Sequence, residues 1–261
     1  MHLRMTSHIV TDYGHDAERG TDPGTGRIDD IVFVMFHGYG NDEREMIRVI
    51  SAVHAASAGA VHAADAGADA DCGPSYLSFT GTVTRPYMGG AYWYPDGCGV
   101  EERRAACSAV GDAVTTLLDA SACAGRRLVL VGFSQGAYLS YRMVVEHPRL
   151  FDAAVLLSPS FRGEERPDPR TPDALDDAHC HTRFLLAYGS DDRTIPQSDQ
   201  RTAQTVLAAT GRAEIRTYPG MGHAIRDDEI TDIAAFLRGL PRRCVREDGG
   251  FRDAAPDADV F

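Results

Sequence analysis

Three short stretches of the chain carry residue types that could perform nucleophilic chemistry together. The first is Gly132-Phe133-Ser134-Gln135-Gly136, directly after the apolar run Leu128–Val131 and directly before a helical pattern. A serine hydroxyl is a weak nucleophile until a neighbouring base takes its proton, and it must also be presented to a substrate. A tight strand-to-helix turn does the presenting: it holds serine in a strained conformation, and glycines on either side let the crossing backbones come close. With 26 glycines and 13 serines in 261 residues, about 0.1 chance matches to this spacing are expected, so the strand before and the helix after carry the assignment over an ordinary turn serine. The second stretch is Asp191-Asp192, where an acid follows the strand-like run Arg183–Tyr188. The third is Pro219-Gly220-Met221-Gly222-His223, which puts a histidine on a glycine-flanked loop after Glu214–Tyr218, able to take the Ser134 proton and pass it to a leaving group.

A helix starting beneath Ser134 would aim unpaired N–H groups and the positive dipole end at a reacting carbonyl. Gln135 N–H is the natural first oxyanion donor. The second is expected from the loop after an earlier strand, and Ile31–Phe36 is followed by His37-Gly38-Tyr39-Gly40, so Tyr39 N–H is the choice. Other histidines compete poorly as the base. His37 is expected to fix loop geometry, His147 precedes Pro148 at a helix end, and His179 and His181 lie in a Pro-, Arg- and Asp-rich segment. His179-Cys180-His181 invites a metal reading, but no matching ligand pair stands out elsewhere, so no metal is expected.

The elements that must position these groups read as short β-rich runs alternating with helical periodicity, the pattern of a mostly parallel, doubly wound α/β sheet. The strands are expected at Ile31–Phe36, Leu77–Thr80, Arg127–Val131, Ala153–Leu157, Arg183–Tyr188 and Glu214–Tyr218. The helices are expected at Asp42–Ala56, Glu101–Ala120, Gln135–Glu146, Ser198–Ala209 and Asp227–Leu237, from apolar residues three and four apart. An edge strand is expected around His8–Thr11. Ser57–Gly73, dominated by Ala, Gly and Asp, reads as a helix extension or surface insertion. One domain over residues 1–245 is expected, with 158–181 as a cap segment and 246–261 as a polar, acidic, disordered tail.

The composition, 43% hydrophobic and 25% charged, is that of a globular chain with material for a sizeable core. A net charge of −12 repels phosphate backbones, so nucleic acid is not an expected partner. All 26 basic residues are arginine, which removes lysine-based covalent mechanisms. No signal-like N-terminus and no membrane-length apolar run is present, so a cytoplasmic location is expected, with Cys72, Cys98, Cys107, Cys123, Cys180 and Cys244 as reduced thiols.

Taken together, His37-Gly38-Tyr39-Gly40-Asn41, Gly132-Phe133-Ser134-Gln135-Gly136, Tyr188-Gly189-Ser190-Asp191-Asp192-Arg193-Thr194-Ile195-Pro196 and Gly220-Met221-Gly222-His223 resemble the phospholipase/carboxylesterase family of α/β-hydrolases, which includes acyl-protein thioesterases. The resemblance implies the α/β-hydrolase fold and a Ser134–Asp192–His223 triad. Its acid-loop pattern, counted forward from Gly189 and back from Pro196, selects Asp192 over Asp191, and its chain order puts the base last. It also implies that the segment Arg85–Pro95 lines an acyl pocket through Trp93 and Tyr94, favouring small or medium hydrophobic or aromatic acyl groups. The implied activity is cofactor-free hydrolysis of small-molecule esters or thioesters by a monomer or homodimer. The competing readings are a serine peptidase or aminoacyl hydrolase on the same fold and a non-catalytic ligand-binding relative.

Overall fold

Ile31–Phe36 is apolar at every position, and such a strand must be covered on both faces. In the computed structural model, which describes residues 3–10, 31–59, 73–120, 123, 126–165, 175 and 180–241, all six of its residues are fully buried. The strands are β1 (Arg4–His8), β2 (Ile31–Phe36), β3 (Ser75–Thr80), β4 (Val83–Thr84), β5 (Ala91–Tyr92), β6 (Arg127–Phe133), β7 (Ala153–Leu157), β8 (Arg183–Gly189) and β9 (Ala213–Tyr218). The helices are α1 (Glu43–Gly59), α2 (Val100–Asp119), α3 (Gln135–Glu146), α4 (Gln197–Ala208) and α5 (Asp227–Arg238). Seven strands form one sheet in the order β1-β3-β2-β6-β7-β8-β9, with β4 and β5 a separate hairpin. Every pairing in the large sheet is parallel except β1 with β3.

Alternation along β2 splits the core in two. Val32, Val34 and Phe36 join Val110 and Val114 of α2, Tyr138 and Met143 of α3, and Val206 and Leu207 of α4 on one face. Ile31, Phe33 and Met35 join Met46, Ile50 and Val53 of α1 and Ile233, Phe236 and Leu237 of α5 on the other. Each such side chain contributes about 1.5–3 kcal/mol by leaving water. This is the expected doubly wound arrangement.

The expected strands and helices all form, with ends shifted by a few residues. β6 continues through Gly132 and Phe133, because Phe36 pairs with Gly132 and Phe133 with Leu157. The edge strand is Arg4–His8, upstream of the expected His8–Thr11, and Thr11 lies outside the described residues. All five β1 residues are exposed, so no buried face imprints a hydrophobic period on the sequence there. The β4–β5 hairpin was not foreseen: it has only two residues per strand.

Helix α1 runs to Gly59, and the rest of the Ser57–Gly73 segment up to residue 72 lies outside the described residues. So do 166–174 and 176–179 of the expected cap and the whole 246–261 tail. Cys98, Cys107 and Cys180 are free thiols. Among the described residues no helix is long and apolar enough to cross a membrane.

Candidate active site

Parallel strands deliver their following loops to one end of the sheet, which is where open α/β folds build sites. Ser134 follows β6 and precedes α3 with φ 53° and ψ −114°, a left-handed conformation that a non-glycine residue adopts only under constraint. The constraint is visible on both sides. A Cβ on Gly132 would lie 2.3 Å from the Gly136 carbonyl oxygen, and one on Gly136 would lie 2.0 Å from that of Phe36, so strand and helix cross too closely for any side chain. Ser134 N–H also donates to the Leu157 carbonyl at 2.8 Å, tying the turn to β7.

The acid loop after β8 and the loop after β9 are knitted to each other. Ser190 N–H donates to the Tyr218 carbonyl, Asp191 N–H to the Met221 carbonyl (both 2.9 Å), and Gly220 N–H to Ser190 Oγ (2.8 Å). Gly189 permits this, since a Cβ there would meet the Met221 carbonyl oxygen at 2.0 Å. The join brings His223 between the other two groups. Its Nδ1 is 2.8 Å from Asp192 Oδ2 and its Nε2 is 3.0 Å from Ser134 Oγ.

Asp192 is buried, and its other oxygen, Oδ1, accepts from Thr194 N–H at 2.9 Å and Ile195 N–H at 3.0 Å. A carboxylate can only accept, so His223 carries its proton on Nδ1 and leaves Nε2 free to accept from the Ser134 hydroxyl. The Phe133 ring packs on the imidazole with centroids 4.8 Å apart. Asp191 instead faces Ser190 Oγ at an exposed position, so the acid brought to the histidine is Asp192.

Most backbone amides of Gly38–Asp42 are committed within the loop and its neighbours. Gly38 N–H donates to Glu45 Oε2 (2.8 Å), Gly40 N–H to the Ala91 carbonyl (2.8 Å), Asn41 N–H to the Gly38 carbonyl (3.3 Å) and Asp42 N–H to Asn41 Oδ1 (3.1 Å). Within Gly38–Asp42, Tyr39 N–H is the amide without an acceptor among the described residues. Gln135 opens α3, where an amide has no intrahelical acceptor. The loop lies against the serine, since a Cβ on Gly38 would sit 3.5 Å from Ser134 Cβ.

His37 lies outside the hydrogen-bonded chain of Ser134, His223 and Asp192. Its Nε2 accepts from Gly81 N–H at 2.9 Å and its Nδ1 faces the Gly38 carbonyl at 2.7 Å, which fixes one tautomer. Burial holds its pKa below the ordinary imidazole value. Trp93 and Tyr94 are buried, at 2% and 6% exposure. The Trp93 indole donates to the His37 carbonyl at 2.8 Å, and the Gln135 side chain bridges Trp93 N–H (3.1 Å) and the Tyr94 carbonyl (3.0 Å). The exposed aromatic of the loop after β2 is Tyr39, 45% accessible and stacked on Tyr92 with centroids 5.4 Å apart.

Four contributors escaped the sequence reading: the Gln135 side chain, Glu45, the Thr194 amide and the Ile195 amide. Only Glu45 had a usable signal, its place three residues after Asp42 at the start of α1. A depression of about 330 Å³ borders Ser190–Asp192, Arg193 and Ile195–Gln197, but neither Ser134 nor His223 lines it. Among the described residues no group of three His, Cys, Asp or Glu side chains could hold a metal ion, and His179 lies outside them.

Solved structures share this architecture. Esterase PE8 is 22% identical with a TM-score of 0.58, over 82% of this chain and 94% of its own. A carboxylesterase from Bacillus cereus is 15% identical with a TM-score of 0.61, over 90% and 93%. The fold is that of the α/β-hydrolases. The phospholipase/carboxylesterase family model matches residues 97–240, and the chain belongs to that family. Among curated proteins it is similar to acyl-protein thioesterase 1 of Gibberella zeae, 29% identical over 119 residues, or 43% of this chain and 47% of that protein. It is also similar to a putative carboxymethylenebutenolidase of Escherichia coli K12, 33% identical over 105 residues, or 39% and 38%. The chain thus spans about half or less of the length of these relatives.

Proposed function

We propose that this chain hydrolyses carboxylic esters or thioesters by two-step acyl transfer. The observation that carries the reading is the unbroken hydrogen-bonded relay from Ser134 Oγ through His223 to Asp192 Oδ2. His223 Nε2 takes the hydroxyl proton as Ser134 Oγ attacks the carbonyl carbon, and Asp192 stabilises the imidazolium. The oxyanion lodges on Tyr39 and Gln135 N–H. His223 then protonates the departing alkoxide or thiolate. Water, deprotonated by the same nitrogen, releases the acid and restores the hydroxyl. These steps use side chains, amides and water only.

The preference for small or medium hydrophobic or aromatic acyl groups rests on exposed Tyr39, stacked on Tyr92, and on the aromatic run that continues through buried Trp93 and Tyr94. The setting we propose is one domain over residues 1–245, with 158–181 as the cap segment, acting in the cytoplasm on small molecules as a monomer or homodimer. The described start of that cap segment is fastened to α2 and α3, where Glu164 accepts from Tyr138 Oη at 2.6 Å and from Arg104 Nε at 3.2 Å.

Turnover of p-nitrophenyl butyrate by the purified protein and by Ser134→Ala tests the reaction. Loss of turnover in a variant with unchanged circular dichroism is expected, and near-normal hydrolysis by it contradicts the reading. A matched aminoacyl-amide substrate, cleaved faster than the ester, would favour a peptidase.

A further inference from the structure

Glu45 stands where a helix-capping carboxylate normally stands, yet it does something else. It is the third residue of α1, and Asp42, just before the helix, caps the Arg44 amide at 2.9 Å. A glutamate at this position ordinarily reaches back to the N–H of the capping residue. Here Asp42 N–H is already taken by Asn41 Oδ1. Glu45 reaches past it, with Oε2 accepting from Gly38 N–H at 2.8 Å and Oε1 from Asn41 Nδ2 at 2.5 Å. One carboxylate thereby grips the loop at both ends of the Gly38–Asn41 stretch. Tyr39 N–H, between the grips, is left without an acceptor among the described residues.

The grip has a second anchor. Gly40 N–H donates to the Ala91 carbonyl and Ala91 N–H to the Asn41 carbonyl, each at 2.8 Å, pinning the far side of the loop to β5. Glu45 is partly buried, and that burial raises its carboxyl above the usual range while the Gly38 amide and Asn41 side chain pull it back down. A carboxylate with both oxygens committed holds backbone more rigidly than a single neutral acceptor, because charge-assisted bonds are shorter and about twice as strong.

We infer that Glu45 is a positioning residue of the oxyanion site, holding the Gly38 and Asn41 ends of the loop so that Tyr39 N–H points at the developing oxyanion. The inference rests on the acyl-transfer reading above. Its effect is felt in the transition state, where the carbonyl oxygen becomes an anion, and hardly in the ground-state complex.

Glu45→Ala and Glu45→Gln, assayed beside wild type on p-nitrophenyl butyrate and its thionoester, test it. Sulfur accepts hydrogen bonds poorly, so the oxo-to-thiono rate ratio reports the oxyanion donors and is insensitive to general loosening. Glu45→Ala is expected to lower kcat by about 10- to 100-fold with KM within about threefold, and to cut the oxo-to-thiono ratio by about tenfold. Glu45→Gln, which keeps an acceptor for Gly38 N–H, is expected to recover most of both. An unchanged ratio in Glu45→Ala, or parallel loss of kcat, KM and thermal stability with the ratio intact, overturns the inference while leaving the acyl-transfer reading standing. A wild-type protein that cleaves neither ester overturns both.

Discussion

Two buried carboxylates bracket His223 along the chain, Asp192 thirty-one residues before it and Glu229 at the third position of α5, and they are treated in opposite ways. Asp192 receives three donors: the imidazole on one oxygen and the amides of Thr194 and Ile195 on the other. Glu229 has no surface exposure, and neither oxygen has a partner at hydrogen-bonding geometry among the described residues. Burial pushes its pKa up to about 7, with the Arg226 backbone N–H and guanidinium pulling down and Asp228 and Asp232 pushing up. A charge inside a protein persists where donors replace the lost water, and is neutralised where they do not. The acid loop surrounds its carboxyl with donors; the start of α5 buries one without them, which charges only near neutrality.

The largest effect expected at the first carboxylate is on the reaction. Asp192→Asn offers a donor where His223 Nδ1–H needs an acceptor, so the ring adopts the wrong tautomer, and kcat on p-nitrophenyl butyrate falls by about 10³- to 10⁴-fold. A loss under tenfold would remove Asp192 from the relay. Next comes the join that holds this carboxylate to the histidine. Gly189→Ala drives a methyl into the Met221 carbonyl, and a urea titration is expected to show about 2–3 kcal/mol of lost stability. An unchanged midpoint would mean the two loops separate freely.

The smallest effect belongs to the second carboxylate and has a definite sign in pH. The folded pKa of Glu229, about 7, lies above the ordinary 4.5, so the folded state binds the extra proton between those values. Its contribution is therefore most favourable below about pH 4.5 and is lost as pH rises through 7. Glu229→Gln removes that loss, and is expected to be more stable than wild type at pH 8, by no more than about 3 kcal/mol, and equal to it at pH 4.5. A gain that is the same at both pH values would contradict the contrast with Asp192.

The relay was legible in the sequence because each member sits in a motif whose geometry is local: glycines crowd Ser134, and the acid and histidine each follow a strand. The sheet was legible because Ile31–Phe36 and Leu128–Val131 are apolar throughout, as central parallel strands must be. What escaped depends on long-range partners. Nothing around Gln135 announces that its side chain will bridge Trp93 and Tyr94, forty-one residues away or more. The aromatic run at Tyr92–Tyr94 has the same composition whether it faces substrate or core, and only the closing of β5 against the His37 loop buries Trp93. The edge strand slipped because β1 is exposed along its whole length and leaves no period to read.

The central claim is that His223 and Asp192 make Ser134 a nucleophile. Intact-mass and peptide-mapping analysis after treatment with a fluorophosphonate tests it most directly, because only an activated hydroxyl reacts rapidly. One phosphonyl adduct per chain, located on Ser134 and lost in Ser134→Ala and His223→Ala, is the predicted result. A folded wild-type protein that stays unlabelled, or labels at another residue, would contradict it.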